Sequence, residues 1–141
     1  QKDGHEFGTT TGRSRRCGWL DAVALRYALR TNGMTHVALT KLDVLDDFDE
    51  VGICTAYELD GERITRFPSR VDELERVKPV YEMLPGWKSS TAGAKSWADL
   101  PPQAIKYIAR VEELLGIPVA LVSVGADRNA TFARLAIWEG R

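Results

Sequence analysis

Gly8 to Arg16 reads Gly-Thr-Thr-Thr-Gly-Arg-Ser-Arg-Arg, nine residues without an apolar side chain, and Cys17-Gly18-Trp19 follow. Two glycines let a backbone approach a ligand closely, and three threonines supply hydroxyl donors. The arginines offer planar forks that match carboxylate and phosphate. Such a stretch cannot pack a core, but it can surround an anion. The plain alternative is a solvated basic loop. The polar run gives way abruptly to an amphipathic helix, which favours a positioned ligand loop. Thr9, Thr10, Thr11, Gly12, Arg13, Ser14 and Arg15 are its candidate binding residues. Rich in glycine and lacking an apolar anchor, the loop is expected to be mobile in the free chain.

Two further motifs stand where apolar strands stop. Val37-Ala38-Leu39 runs into Thr40-Lys41-Leu42-Asp43, and Val119 to Val122 runs into Ser123-Val124-Gly125. In open α/β sheets ligands gather at the carboxyl ends of strands. A carboxylate at Asp43 could accept from the ring N–H and exocyclic amine of guanine, a donor pair that adenine lacks. The Lys41 stem could lie along the base plane. The Ser123 hydroxyl and a neighbouring backbone N–H could contact the guanine carbonyl, and Gly125 permits close approach. Taken singly, the first motif is a charged loop start and the second a turn.

The elements that must carry these motifs are readable from periodicity. Leu20, Val23, Ala24, Tyr27 and Ala28 keep the spacing of a helix buried on one face and stopped by Asn32-Gly33. Val51, Ile53, Thr55 and Tyr57 alternate as a strand that Asp60-Gly61 turns into a hairpin with Arg63 and Ile64. The acidic stretch Asp46, Asp47, Asp49 and Glu50 reads as a solvated loop. Ser69-x-x-Asp72 has the pattern of a capping box for a short helix through Val77. An extended segment runs from Pro79 to Trp87, and a polar loop from Lys88 to Lys95. Ile105, Ile108, Val111 and Leu115 predict a helix from Pro101-Pro102 to Gly116, and Phe132 to Ile137 a last strand. Helices alternating with apolar strands predict an α/β sheet.

Composition narrows the function class. The chain has 141 residues, 44% hydrophobic and 28% charged, as expected for one globular domain. A net charge of -1 argues against a general nucleic-acid or membrane surface. Cys17 and Cys54 lack metal-ligand spacing and read as free thiols of a reducing cytoplasm. No apolar run approaches the ~20 residues that span a bilayer. So loaded a loop near the start of the chain suggests that part of the protein precedes it.

Read together and in order, these segments resemble the adenylosuccinate synthetase family. The resemblance rests on Glu6 to Arg16, Gly18 to Asp21, Leu39 to Asp43 and Cys54 to Tyr57. It continues through Val77 to Tyr81, Leu84 to Trp87 and Ser123 to Gly125. It implies the C-terminal part of a P-loop-NTPase-like, mainly parallel sheet flanked by helices, with a β-hairpin insertion. It implies a GTP-dependent ligase in which GTP phosphorylates the 6-oxygen of IMP and the amine of L-aspartate displaces the phosphate, on the route to AMP. Thr9 to Arg15 would line the aspartate site, with Arg13 reaching IMP and Arg15 facing the phosphate end of GTP. Lys41, Leu42 and Asp43 with Ser123, Val124 and Gly125 would bind the guanine. The full enzyme is expected to be a cytoplasmic homodimer using magnesium.

The family's glycine-rich phosphate loop, magnesium ligands and catalytic Asp and His have no counterpart in this sequence. Gly93-Ala94-Lys95-Ser96 lacks the leading glycine loop, and His5 and His36 match no catalytic position. The ending from Ile137 to Arg141 also departs from the family pattern. The chain is thus expected to be a C-terminal portion, inactive alone. A non-catalytic guanine-nucleotide-binding module is the alternative.

Overall fold

The computed structural model describes Phe7, Gly8 and residues 10–136. A two-residue strand, β1 (Leu20–Asp21), runs straight into helix α1 (Ala22–Asn32). Asp21 Oδ1 accepts the Val23 and Ala24 N–H groups at 2.9 and 3.0 Å, satisfying two donors that a helix start leaves open. Gly33, left-handed at φ 62°, closes the other end. The buried face differs from the expected one: Ala22, Val23 and Leu29 are buried, while Tyr27 is 48% exposed and stacks on Phe67. Leu20 belongs to the strand, so the helical phase starts later than the apolar spacing implied.

Strand β2 (Val37–Leu39) is followed by a 3-10 turn over Leu42–Leu45. Then come β3 (Glu50–Leu59) and β4 (Glu62–Ile64), joined by the expected hairpin through Asp60 and Gly61, both at positive φ. Helix α2 (Val71–Arg76) forms without the expected capping box. Arg70, not Ser69, occupies the cap, and the Asp72 carboxylate is drawn to the Arg70 and Arg76 guanidiniums instead. Strand β5 (Lys78–Pro85) and helix α3 (Pro102–Leu115) follow, the helix opened by proline and closed at Gly116 as read from the sequence. The chain continues through β6 (Val119–Ser123) to β7 (Thr131–Ala133). The last strand is shorter than Phe132 to Ile137; Ile137 lies outside the described residues.

The expected mainly parallel sheet is replaced by two mixed ones. In the first, β5 runs antiparallel along one edge of β3, while β1 (parallel) and β4 (antiparallel) share the other. In the second, β6 has β2 parallel on one side and β7 antiparallel on the other. Three of these five pairings are antiparallel. The connections account for much of this: β4 follows β3, and β7 follows β6, through short links that favour antiparallel pairing, whereas each parallel pair encloses a longer crossover.

One core unites both sheets. Ile108 and Val111 of α3 pack with Val51 and Ile53 of β3 and with Val119 and Val122 of β6. A smaller cluster of Val23, Cys54 and Tyr57 lies apart, backed by Ile64 and Phe67. A register shift between Cys54 and Ala56 breaks the simple alternation of β3. Tyr57, of the same parity as Val51 and Ile53, therefore joins the second cluster, and the strand is apolar on both faces.

Candidate functional site

The parallel pairing of β2 with β6 sets Leu39 opposite Val122. Two parallel neighbours expose their carboxyl ends at one edge, so Thr40 to Asp43 and Ser123 to Gly125 leave the sheet side by side. Lys41 takes a left-handed conformation, φ 58°, which costs a side-chain-bearing residue about 1 kcal/mol or more and turns the chain into the 3-10 segment. Leu42 is buried and anchors that segment in the core. Asp43, next along, has a buried Oδ1 without a hydrogen-bond partner among the described residues.

The serine side of the edge is engaged differently from the sequence reading. Ser123 Oγ donates to the Gly125 carbonyl at 2.9 Å, and the Val124 N–H donates to Ala130 at 2.8 Å. The Ser123 hydroxyl and the Val124 N–H are therefore in use within the turn. The serine oxygen retains its capacity to accept.

The Gly8–Arg16 loop closes on itself. Gly8 N–H donates to the Arg13 carbonyl and Gly12 N–H to Gly8, each at 2.8 Å, and Phe7 bridges Ser14. Gly12 supplies the left-handed turn at φ 63°. Thr10, Thr11, Arg13, Ser14 and Arg15 are exposed around it; Thr9 lies outside the described residues. The stem of the loop then meets the strand-end motif. Gly18, Trp19 and Leu20 border a cleft of about 200 Å³ whose opposite wall includes Thr40, Lys41 and Leu42. Tyr107 of α3 lines it too, a residue omitted from the predicted helix face although it falls one place before Ile108. Burial pushes its phenol up to about 12. A larger cleft, about 540 Å³, lies beside Arg26, Arg30 and Met34 and contains none of the predicted site residues.

The acidic stretch is exposed at Asp47, Asp49 and Glu50, as expected of a solvated loop, but Asp46 is drawn inward. Asp46 accepts from Trp87 Nε1 at 2.7 Å and from the Thr91 N–H and hydroxyl at 2.7 and 2.9 Å. Asp49 pairs with Lys88 at 2.9 Å. His36 is exposed, bonded to the Thr35 hydroxyl; His5 lies outside the described residues. Among the described residues no group of three or more His, Cys, Asp or Glu converges as a metal site. No described helix is long and apolar enough to cross a membrane.

The sequence model of the family described as adenylosuccinate synthetase matches residues 1–132. The chain belongs to the adenylosuccinate synthetase family. A solved structure described as fully ligated adenylosuccinate synthetase from Plasmodium falciparum is 36% identical and superposes with a TM-score of 0.89 over 95% of this chain. The chain spans 32% of that synthetase's length. Adenylosuccinate synthetases are ligases of purine biosynthesis. The ordered segments that suggested the family in the sequence thus lie on a shared three-dimensional arrangement, and its sheets are mixed rather than mainly parallel.

Proposed function

We propose that this chain is the aspartate- and guanine-recognising portion of an adenylosuccinate synthetase, which joins IMP and L-aspartate using GTP. The observation that carries the guanine assignment is the unpartnered Asp43 oxygen at the carboxyl edge of the β2–β6 pair. A buried carboxylate oxygen without a donor costs about 1–3 kcal/mol, so the arrangement is favourable only when a ligand supplies one. Guanine supplies two, from its ring N–H and its exocyclic amine. The strained backbone at Lys41 supports the same edge as a site, since strain of this kind accumulates where a ligand is held.

The exposed hydroxyls and guanidiniums of residues 10–15 supply the anion side. Arg13 would hold a carboxylate of the substrate aspartate and reach IMP, and Arg15 would face the GTP phosphates. Their role is to gather anionic reactants and balance charge during phosphoryl transfer. The magnesium that the family uses finds no cluster of three or more His, Cys, Asp or Glu among the described residues. The homodimer and the cytoplasmic location expected from the family belong to the same proposal.

The decisive substitution is Asp43→Asn in the full-length enzyme, with KM measured for GTP and for ITP, which lacks the exocyclic amine. An amide places a donor against a donor, so the preference for GTP should fall by about tenfold or more. An unchanged preference removes Asp43 from the guanine site.

A further inference from the structure

The 3-10 segment that carries Asp43 is weakly self-supporting. Its internal bonds are Val44 N–H to Lys41 at 3.4 Å and Asp46 N–H to Asp43 at 3.1 Å, and single 3-10 turns have poor hydrogen-bond geometry. It must be held from outside.

The holding contact is at its end. The Asp46 carboxylate takes three hydrogen bonds, none longer than 2.9 Å, from Trp87 and Thr91, both buried. Bonds to an ionised acceptor are about twice as strong as neutral ones. The neighbouring backbone is stitched to the same connector. Gly86 N–H donates to Asp49 at 2.8 Å, and Lys88 Nζ donates to the Asp47 carbonyl at 3.0 Å. Through its own N–H, Asp46 holds the Asp43 carbonyl. The chain from Asp43 to Asp49 is thereby fixed to Gly86–Thr91, some forty residues on in sequence.

We infer that Asp46, gripped by Trp87 and Thr91, is a positioning residue that presents Asp43 to the guanine base. Held in this way, the Asp43 carboxylate cannot relax toward a protein donor, and its unpaired oxygen stays available to the nucleotide. The inference rests on the guanine reading of Asp43.

The test is steady-state kinetics with GTP and ITP on the full-length synthetase, comparing Asp46→Asn, Thr91→Val, Thr91→Ser and Asp43→Asn. Asp46→Asn should raise KM for GTP about tenfold and reduce the GTP-over-ITP preference roughly fivefold, with kcat at saturating GTP nearly retained. Thr91→Val, which deletes one of the three bonds, should shift both quantities in the same direction by less. Thr91→Ser, which keeps both donors, should recover them. Where Asp46→Asn does not fold, Thr91→Val against Thr91→Ser carries the test. A lower melting temperature with unchanged KM and preference overturns the positioning role, because a merely structural contact would do only that. If Asp43→Asn alone alters the preference, the guanine reading stands and the role of Asp46 falls. If Asp43→Asn leaves it unaltered, both fall.

Discussion

Arg13 follows the left-handed turn at Gly12, and its carbonyl is fixed by the Gly8 N–H, so its backbone is set while its side chain stays exposed. That combination suits a group that must meet a substrate carboxylate. Arg13→Leu in the full-length enzyme should raise KM for aspartate or lower kcat by more than about tenfold, or ~1.4 kcal/mol, the loss of one charge-assisted pair. An effect confined to melting temperature would make Arg13 a structural residue. Asp21 illustrates the opposite use of a charged side chain. Its Oδ1 caps α1 while Oδ2 accepts the Tyr57 hydroxyl. Burial, and then that bond, push the Tyr57 phenol well above its usual range. Residue types announced both kinds of role, but only packing separated them: Asp43 keeps an open oxygen, Asp46 has none to spare.

Among the elements, the ends of α3 and the turn of the β3–β4 hairpin were legible. Proline at the first turn, glycine at the last and an apolar spacing between them define a helix locally, and Asp-Gly at positive φ defines a hairpin in the same way. The connector Gly86–Thr91 was not legible. Its sequence is polar from Lys88 onward, yet it approaches the Asp46–Asp49 segment so closely that a Cβ at Gly86 would lie 2.0 Å from the Phe48 carbonyl oxygen. Backbone cannot yield as a flexible side chain can. Gly86→Ala should therefore destabilise the protein by about 2 kcal/mol or more, read as a lower denaturation midpoint with little change in m-value. A neutral result would mean that the two segments separate easily.

Across the whole molecule, the two sheets share a core, and an ion pair outside it ties helix α3 to the first sheet. Arg110 of α3 grips Glu82 of β5 through both nitrogens at 2.8 Å, and the guanidinium holds the Glu82 carboxyl below its ordinary range. A carboxyl whose pKa is lowered by folding adds stability above its unfolded value, near 4.5, and loses it as pH falls through the folded value. The pair is about one-third exposed, so its contribution at neutral pH is modest, ~0.5–1 kcal/mol. Denaturant unfolding of Glu82→Gln should show that deficit at neutral pH and none at a pH well below 4.5. A deficit that persists in acid would trace to packing rather than charge.

The sequence by itself determined the family, the positions of most helices and strands, and the residue types assembled for anion and base recognition. These properties are written in local spacing and in the order of short motifs, which survive without knowledge of neighbours. The tertiary structure decided the pairing of strands, the reversal of faces along β3 and the mixed character of both sheets. It also decided that Asp46 is bound inward, that the Ser123 hydroxyl is already engaged, and that Asp43 is left with an oxygen to offer. The strand pairings and the inward turn of Asp46 depend on what stands across a sheet edge or on a connector some forty residues away, and no periodicity within a single segment encodes that.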